Sequence, residues 1–273
     1  MSERSERTNG HGPSAAGGSV PFDRAAEYYD RTRALPPEAH ERVIDLLVSE
    51  LDSVAGGGVL EVGVGTGRIA LSLADRGLGL TGLDLSGPML DRLAANAGGH
   101  PPVRPVRADA TRLPFPDDAF DAGVASHVFH LITDWPVALG ELARVVRPGG
   151  VLLVSRGGHH GALSDLSNVA MEAVDVVLPG ADVAEEVDLE AAKLGLTVRM
   201  LEPVAFPYRL APASVLRMIA SAQFSWSWAL DPERLRLAVD AGRRWASERW
   251  DDLDQPVTSE ATVVWRAHDV PLA

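Results

Sequence analysis

Apolar positions along this chain follow two alternating periods. Val43, Leu47, Leu51 and Val54 return every three or four residues and predict a helix over about 36–54, with Pro36 and Pro37 in its first turn. A shorter helical pattern covers 22–32. After Gly56-Gly57-Gly58 the pattern changes to short apolar runs. Those at 59–62, 78–83, 103–108, 120–125 and 151–155 read as strands. Helices are expected between them at 68–75, after the N-cap Ser86, and at 135–146, where Pro148-Gly149-Gly150 closes the turn. Strands alternating with helices predict an α/β fold: a doubly wound, mostly parallel sheet, with ligands at the carboxyl ends of its strands.

The last third is less regular. Helices are expected at about 163–178, 184–194, 213–222 and 232–252, and strands at 197–206 and 258–267. Residues 1–20 carry no periodic apolar pattern and read as a disordered tail. Residues 21–273 then read as one domain. Its core is about 55–155, and its substrate and lid elements are about 21–54, 157–180 and 207–256.

Composition narrows the partners. Hydrophobic residues make up 46% of the 273, enough for a sizeable core. The net charge of −13 opposes a phosphate backbone, so no nucleic-acid partner is expected. The chain has no cysteine, which removes disulfides and Cys-based zinc sites. No apolar run approaches the ~20 residues that span a bilayer, and the start lacks signal-peptide character, so a cytoplasmic protein without membrane contact is expected. Lys193 is the sole lysine among 25 basic residues, a codon bias that suggests a GC-rich bacterial genome.

The strongest motif is Glu61-Val62-Gly63-Val64-Gly65-Thr66-Gly67, placed where the first strand turns into a helix. Glycine is needed where a ligand approaches the backbone and φ turns positive. The spacing is G-x-G-x-G rather than G-x-G-x-x-G, which suits a ligand without pyrophosphate and weakens a nicotinamide reading. Asp84 ends the second strand, where a carboxylate can accept from ribose hydroxyls or cap the next helix. Asp109 follows the third strand, where it can accept from an adenine amino group, with the Ala110 N–H serving a ring nitrogen. Leu85 and Met89 either sandwich that ring or pack in the core.

These segments, in this order, resemble class I S-adenosylmethionine-dependent methyltransferases of the small-molecule type. The likeness rests on the Glu61–Gly67 loop, Leu83-Asp84-Leu85-Ser86 with Met89-Leu90, and Asp109-Ala110 with Leu113-Pro114-Phe115. It extends to Glu141-Leu142-Ala143-Arg144-Val145-Val146-Arg147-Pro148-Gly149-Gly150, and covers about residues 21–155. The resemblance implies a Rossmann-like methyltransferase fold: seven strands, the last antiparallel, with helical lid insertions. It implies S-adenosylmethionine as cofactor, its methionine end on the glycine loop, ribose on Asp84, and adenine at Asp109 and Ala110. Ser126 and His127 would line the sulfonium, and Glu61 would orient the loop or the cofactor's amino group.

A weakly acidic nucleophile needs a general base, and His130, His159 and His160 stand after strands four and five, at the ligand edge. They read as base or as ordinary polar residues. The adjacent pair His159-His160 lacks helical metal-site spacing, and no metal is expected. Tyr28 and Tyr29 either border the substrate or form a packing face. Phe224, Trp226, Trp228, Trp245 and Trp250 fall within 27 positions. They either pack a lid or wall a pocket for an apolar substrate, with Trp226 and Trp228 the pocket candidates. The function expected is methyl transfer to O, N or C of a small molecule, in bacterial secondary metabolism. A same-fold enzyme catalysing a cyclisation, with the cofactor in a structural role, is the competing reading, and a non-catalytic cofactor sensor is a third. Residues 126–129 read Ser-His-Val-Phe, unlike the Asn/Asp-Pro-Pro-aromatic run of base-methylating relatives. Oligomeric state is not legible.

Overall fold

The computed structural model describes residues 22–54, 56, 58–99, 102–155, 162–176, 179–181 and 183–272. Five strands form the parallel part of the main sheet: β1 (Gly58–Val62), β2 (Gly79–Asp84), β3 (Val103–Arg107), β4 (Phe120–Ser126) and β5 (Val146–Ser155). With β6 (Thr197–Met200) and β9 (Trp265–Asp269) the order is β3-β2-β1-β4-β5-β9-β6, and β9 runs antiparallel to both neighbours. This is the seven-stranded sheet expected.

The central strands are apolar on both faces because both faces are covered. Along β5, Val151 and Leu153 join one cluster with Leu47 of α2 (Pro37–Asp52) and Leu73 of α3 (Ala70–Asp75). Leu152 and Val154 join the opposite cluster with Leu139 and Leu142 of α5 (Trp135–Val145). Gly123 of β4 admits this packing, since a Cβ there would stand 2.8 Å from Leu142 Cδ1. Polar residues of the α5 motif are staples. Glu141 accepts from the Leu113 N–H at 2.9 Å, and Arg144 bonds Glu141, Asp117 and the Phe115 carbonyl. Arg147 pairs with Asp121 and donates to the Val54 carbonyl, tying β5 to the end of α2.

Two expected strands each divide. The segment read as 197–206 becomes β6 and β7 (Val204–Leu210), and 258–267 becomes β8 (Val257–Val263) and β9. Pro203, which has no N–H to donate, lies at the break after β6. Beyond it β7 and β8 pair as a separate antiparallel ribbon, from Val204↔Val263 to Leu210↔Val257. The antiparallel pair thus begins in the main sheet and continues as a ribbon that carries the lid. Buried His268 of β9 and Arg266 anchor the pair to α7 (Ala184–Lys193) through Asp188, at 3.0 Å each. Desolvation holds the His268 imidazole below its ordinary pKa although Asp188 favours its charged form.

The lid is helical. α6 (Ala162–Glu172), α8 (Pro212–Ala220) and α9 (Pro232–Ser247) share a third cluster through Leu163, Leu166, Val215, Ile219 and Ala238. The expected N-terminal helix is interrupted. A 3-10 turn at Asp23–Ala25 precedes α1, only Tyr29–Arg33, and α4 is Gly87–Asn96. Among the described residues no helix is long and apolar enough to cross a membrane.

Candidate active site

The loop after β1 turns at three glycines with positive φ: Gly63 (+70°), Gly65 (+56°) and Gly67 (+87°). A Cβ at Gly63 would stand 2.5 Å from Val128 Cγ2. The loop therefore combines a left-handed backbone with close packing, both of which demand glycine. Gly82 of β2 makes room for it as well, since a Cβ there would stand 2.7 Å from Val64 Cγ2.

Asp84 closes the loop from the end of β2. Its Oδ2 accepts from the Gly65 N–H at 2.9 Å and its Oδ1 from the Ser86 N–H at 2.8 Å. Burial raises its pKa while these backbone donors favour the charged form. The carboxylate is thereby held in one orientation at the cavity wall, each oxygen keeping capacity for a further donor. Asp109 forms a tight turn, its Oδ1 accepting from both the Thr111 N–H and hydroxyl at 2.9 Å. Its second oxygen has no donor among the described residues. Glu61 is 2% exposed, and one of its carboxyl oxygens has no partner among the described residues. Burial pushes its pKa up to about 8, against the pull of Arg68 and the Ala70 N–H. The carboxyl is thus mostly protonated at neutral pH.

One cavity of about 860 Å³ runs from these strand ends into the lid. Of the residues expected to hold the cofactor, Gly63, Gly65, Asp84, Leu85, Met89, Asp109, Ala110, Ser126 and His127 line it. Glu61 and Gly67 lie behind the wall. Glu61 is buried in β1, and Gly67 makes room for two leucines: a Cβ there would stand 2.8 Å from Leu71 Cγ and 3.1 Å from Leu93 Cγ. His127 has φ +52°, unusual for a side-chain-bearing residue, and its N–H donates to the Ser155 carbonyl at 2.9 Å.

The residues expected on the acceptor side divide between the cavity wall and its surroundings. His130 does not line the cavity. It sits on the 3-10 turn Phe129–Leu131, whose carbonyls crowd Gly180, and its own carbonyl accepts from the Gly180 N–H at 3.2 Å. His159 and His160 lie outside the described residues. Of the tyrosine pair, Tyr29 lines the cavity and Tyr28 does not. Trp226 and Trp228 are also set back. Trp226 stacks on Phe224, ring centroids 6.0 Å apart, within the lid cluster. Trp228 rests on Phe22 at 4.6 Å and donates to the Ala222 carbonyl at 3.0 Å. Phe22, Tyr29, Phe224 and Ser225 are what reach the cavity.

Residues that the sequence did not single out complete the wall. They include Arg31, Arg68, Tyr208, Arg209 and Trp265. Arg68 is visible in the sequence as the residue following the glycine loop. Arg209 and Trp265 carry no such signal, because only the pairing of the ribbon, for Arg209, and of β9 with β5, for Trp265, brings them to the cavity. Asp30 of α1, which follows the tyrosine pair, accepts from the Thr66 hydroxyl at 2.6 Å and from Asn96 and Arg92.

Residues 60–154 match the family model described as a methyltransferase domain. Malonyl-[acyl-carrier protein] O-methyltransferase of Serratia marcescens is 37% identical over 134 residues, 49% of this chain and 50% of that protein. Demethylmenaquinone methyltransferase of Clavibacter sepedonicus is 34% identical over 137 residues, 50% of this chain and 56% of that protein. The chain spans about half the length of the curated relatives it matches. Among solved structures, the YcgJ protein of Bacillus subtilis shares the fold with a TM-score of 0.61 at 18% identity, covering 86% of this chain and 100% of that one. The fold is that of class I methyltransferases, and residues 60–154 are similar to the methyltransferase-domain family.

Proposed function

We propose that this chain binds S-adenosylmethionine at the carboxyl ends of β1–β4 and methylates an O, N or C atom of a small molecule held toward the lid. Asp84 carries the reading: a carboxylate fixed by the glycine loop's own N–H at the end of β2, on a cavity of about 860 Å³. Gly63 and Gly65, which line the cavity beside Asp84 without side chains, leave the loop backbone next to a ligand there.

When bound, S-adenosylmethionine supplies a sulfonium-activated methyl group. Asp84 would accept from the ribose hydroxyls and the free oxygen of Asp109 from the adenine amino group, with Leu85 and Met89 against the ring. Ser126 and His127 would border the reacting end. Phe22 and Tyr29, edge to face at 6.0 Å, cover the cavity from the N-terminal segment and limit water. Alignment in such an enclosed site is worth up to ~7–11 kcal/mol in well-oriented systems. Both relatives named above are methyltransferases, which favours chemistry over a purely structural cofactor.

Calorimetric titration of S-adenosylmethionine into the chain and into Asp84→Ala tests this. Loss of charge-assisted bonds of about 1.5–3 kcal/mol should weaken binding roughly ten- to a hundredfold. Absence of binding by the folded wild type overturns the proposal.

A further inference from the structure

Charge is unevenly distributed over the cavity. Its two carboxylates among the described residues, Asp84 and Asp109, both stand at sheet strand ends. Its three arginines among those residues are Arg31 of α1, Arg68 after the glycine loop and Arg209 of β7. Arg68 is engaged elsewhere: it donates to Ser126 at 3.4 Å. Arg31 and Arg209 are exposed and make no ion pair or side-chain hydrogen bond with the described residues. Two unpaired guanidiniums thus border one cavity of a chain with net charge −13.

Three neutral polar side chains add to them. Ser164, Ser167 and Asn168 line the cavity from one face of α6, at spacings of three and four, while Leu166 and Ala170 pack into the lid. None of the three side chains makes a hydrogen bond with the described residues. Trp265, 1% exposed, also lines the cavity, and its buried indole N–H has no acceptor among the described residues. A buried donor of this kind requires an acceptor oxygen, from water or from an occupant. Apolar side chains line the same cavity: Leu35, Leu131, Phe206, Leu210, Met218 and Phe224.

Resting on the methyltransferase reading above, we propose that the acceptor is a small carboxylic acid with an apolar body. Its carboxylate is drawn to Arg31 and Arg209, its body lies against the lid, and Trp265 donates to one of its oxygens. Guanidinium groups match the planar carboxylate. A carboxylate also brings about half the charge of a phosphate monoester toward a chain of net charge −13, and that acidic balance favours the monoanion.

The test is calorimetry with octanoate, octanamide, octylamine and octyl phosphate, on the chain alone and saturated with S-adenosylhomocysteine. Octanoate should bind at least about tenfold more tightly than the amide or the amine. Arg31→Gln and Arg209→Gln, both at exposed positions, should each weaken octanoate about tenfold and leave octanamide and S-adenosylhomocysteine unchanged. Trp265→Phe should weaken octanoate about three- to tenfold. Equal binding of acid and amide, octyl phosphate binding with octanoate silent, or insensitivity to both arginine changes overturns the proposal. Failure of S-adenosylhomocysteine alone to bind counts against the methyltransferase reading instead, and the cofactor-free titrations still decide the acid site.

Discussion

The Thr66 hydroxyl donates to Asp30 at 2.6 Å, joining the glycine loop to the short N-terminal helix 36 residues before it. Asn96 of α4 completes the joint: its amide donates to Asp30 and to the Thr66 carbonyl, both at 3.1 Å. The segment that covers the cofactor cavity is thus fastened to the loop that forms its floor. Asp30→Ala should lower stability by about 1–3 kcal/mol in urea unfolding and weaken S-adenosylmethionine severalfold. Limited proteolysis should show cleavage over 22–36 before the rest of the chain.

The same joint has a pH signature. Burial disfavours the Asp30 carboxylate, but the bonds from Thr66, Asn96 and Arg92 outweigh it, and the pKa falls below the ordinary value of 3.8. For an acid with a lowered folded pKa, the contribution is present above pH 3.8 and is lost as pH falls through the folded value. The Asp30→Ala difference should therefore shrink only in strongly acidic solution, measured by thermal unfolding as a function of pH.

Glu61 behaves in the opposite direction. With its pKa pushed up to about 8 by burial, the folded chain holds a proton that the unfolded chain has released above pH 4.5. Its cost is absent below pH 4.5, grows as pH rises, and is complete above about 8. Glu61→Gln keeps the shape without the ionisation. Thermal unfolding of the two proteins should agree near about pH 4 and diverge by about pH 9, with the glutamine variant the more stable. Parallel curves across that range would show that Glu61 ionises freely.

Gly63 offers a test of loop packing. Gly63→Ala combines φ +70° with a Cβ 2.5 Å from Val128 Cγ2, and should cost about 1–3 kcal/mol and abolish cofactor binding. Val128→Ala in the same chain relieves the contact but not the backbone strain. Partial recovery in the double variant, seen as non-additive stability, separates the two causes.

Trp226 and Trp228 should respond differently. Trp228 supports Phe22, whose ring reaches the cavity, so Trp228→Ala should weaken S-adenosylmethionine about two- to tenfold, the worth of one aromatic pair. Trp226→Ala removes a stack inside the lid, and should lower the melting temperature with cofactor affinity unchanged. Calorimetry and thermal unfolding of both variants check the contrast.

What the sequence determined by itself is local. A strand, a glycine turn and a helix follow one another within a few residues, so the period of apolar positions places Gly63, Gly65 and Asp84 at strand ends without knowledge of the rest. Consecutive parallel strands then stack by right-handed crossovers, which makes β1–β5 readable one by one, while β6 and β9 are readable only merged with β7 and β8. What the tertiary structure decided is distant in sequence. The breaks after β6, where Pro203 lies, and at Val264 turn two strands into four and set β7 and β8 apart from the sheet, with Arg209 and Phe206 on the cavity. The histidine and tryptophan assignments needed the same information. A side chain's period along a helix or turn does not state which neighbour fills the space beside it, and for His130 that neighbour is Gly180, while for Trp228 it is Phe22. Long-range packing between lid, ribbon and N-terminal helix selects the residues that line the cavity, and that packing is encoded in no single segment.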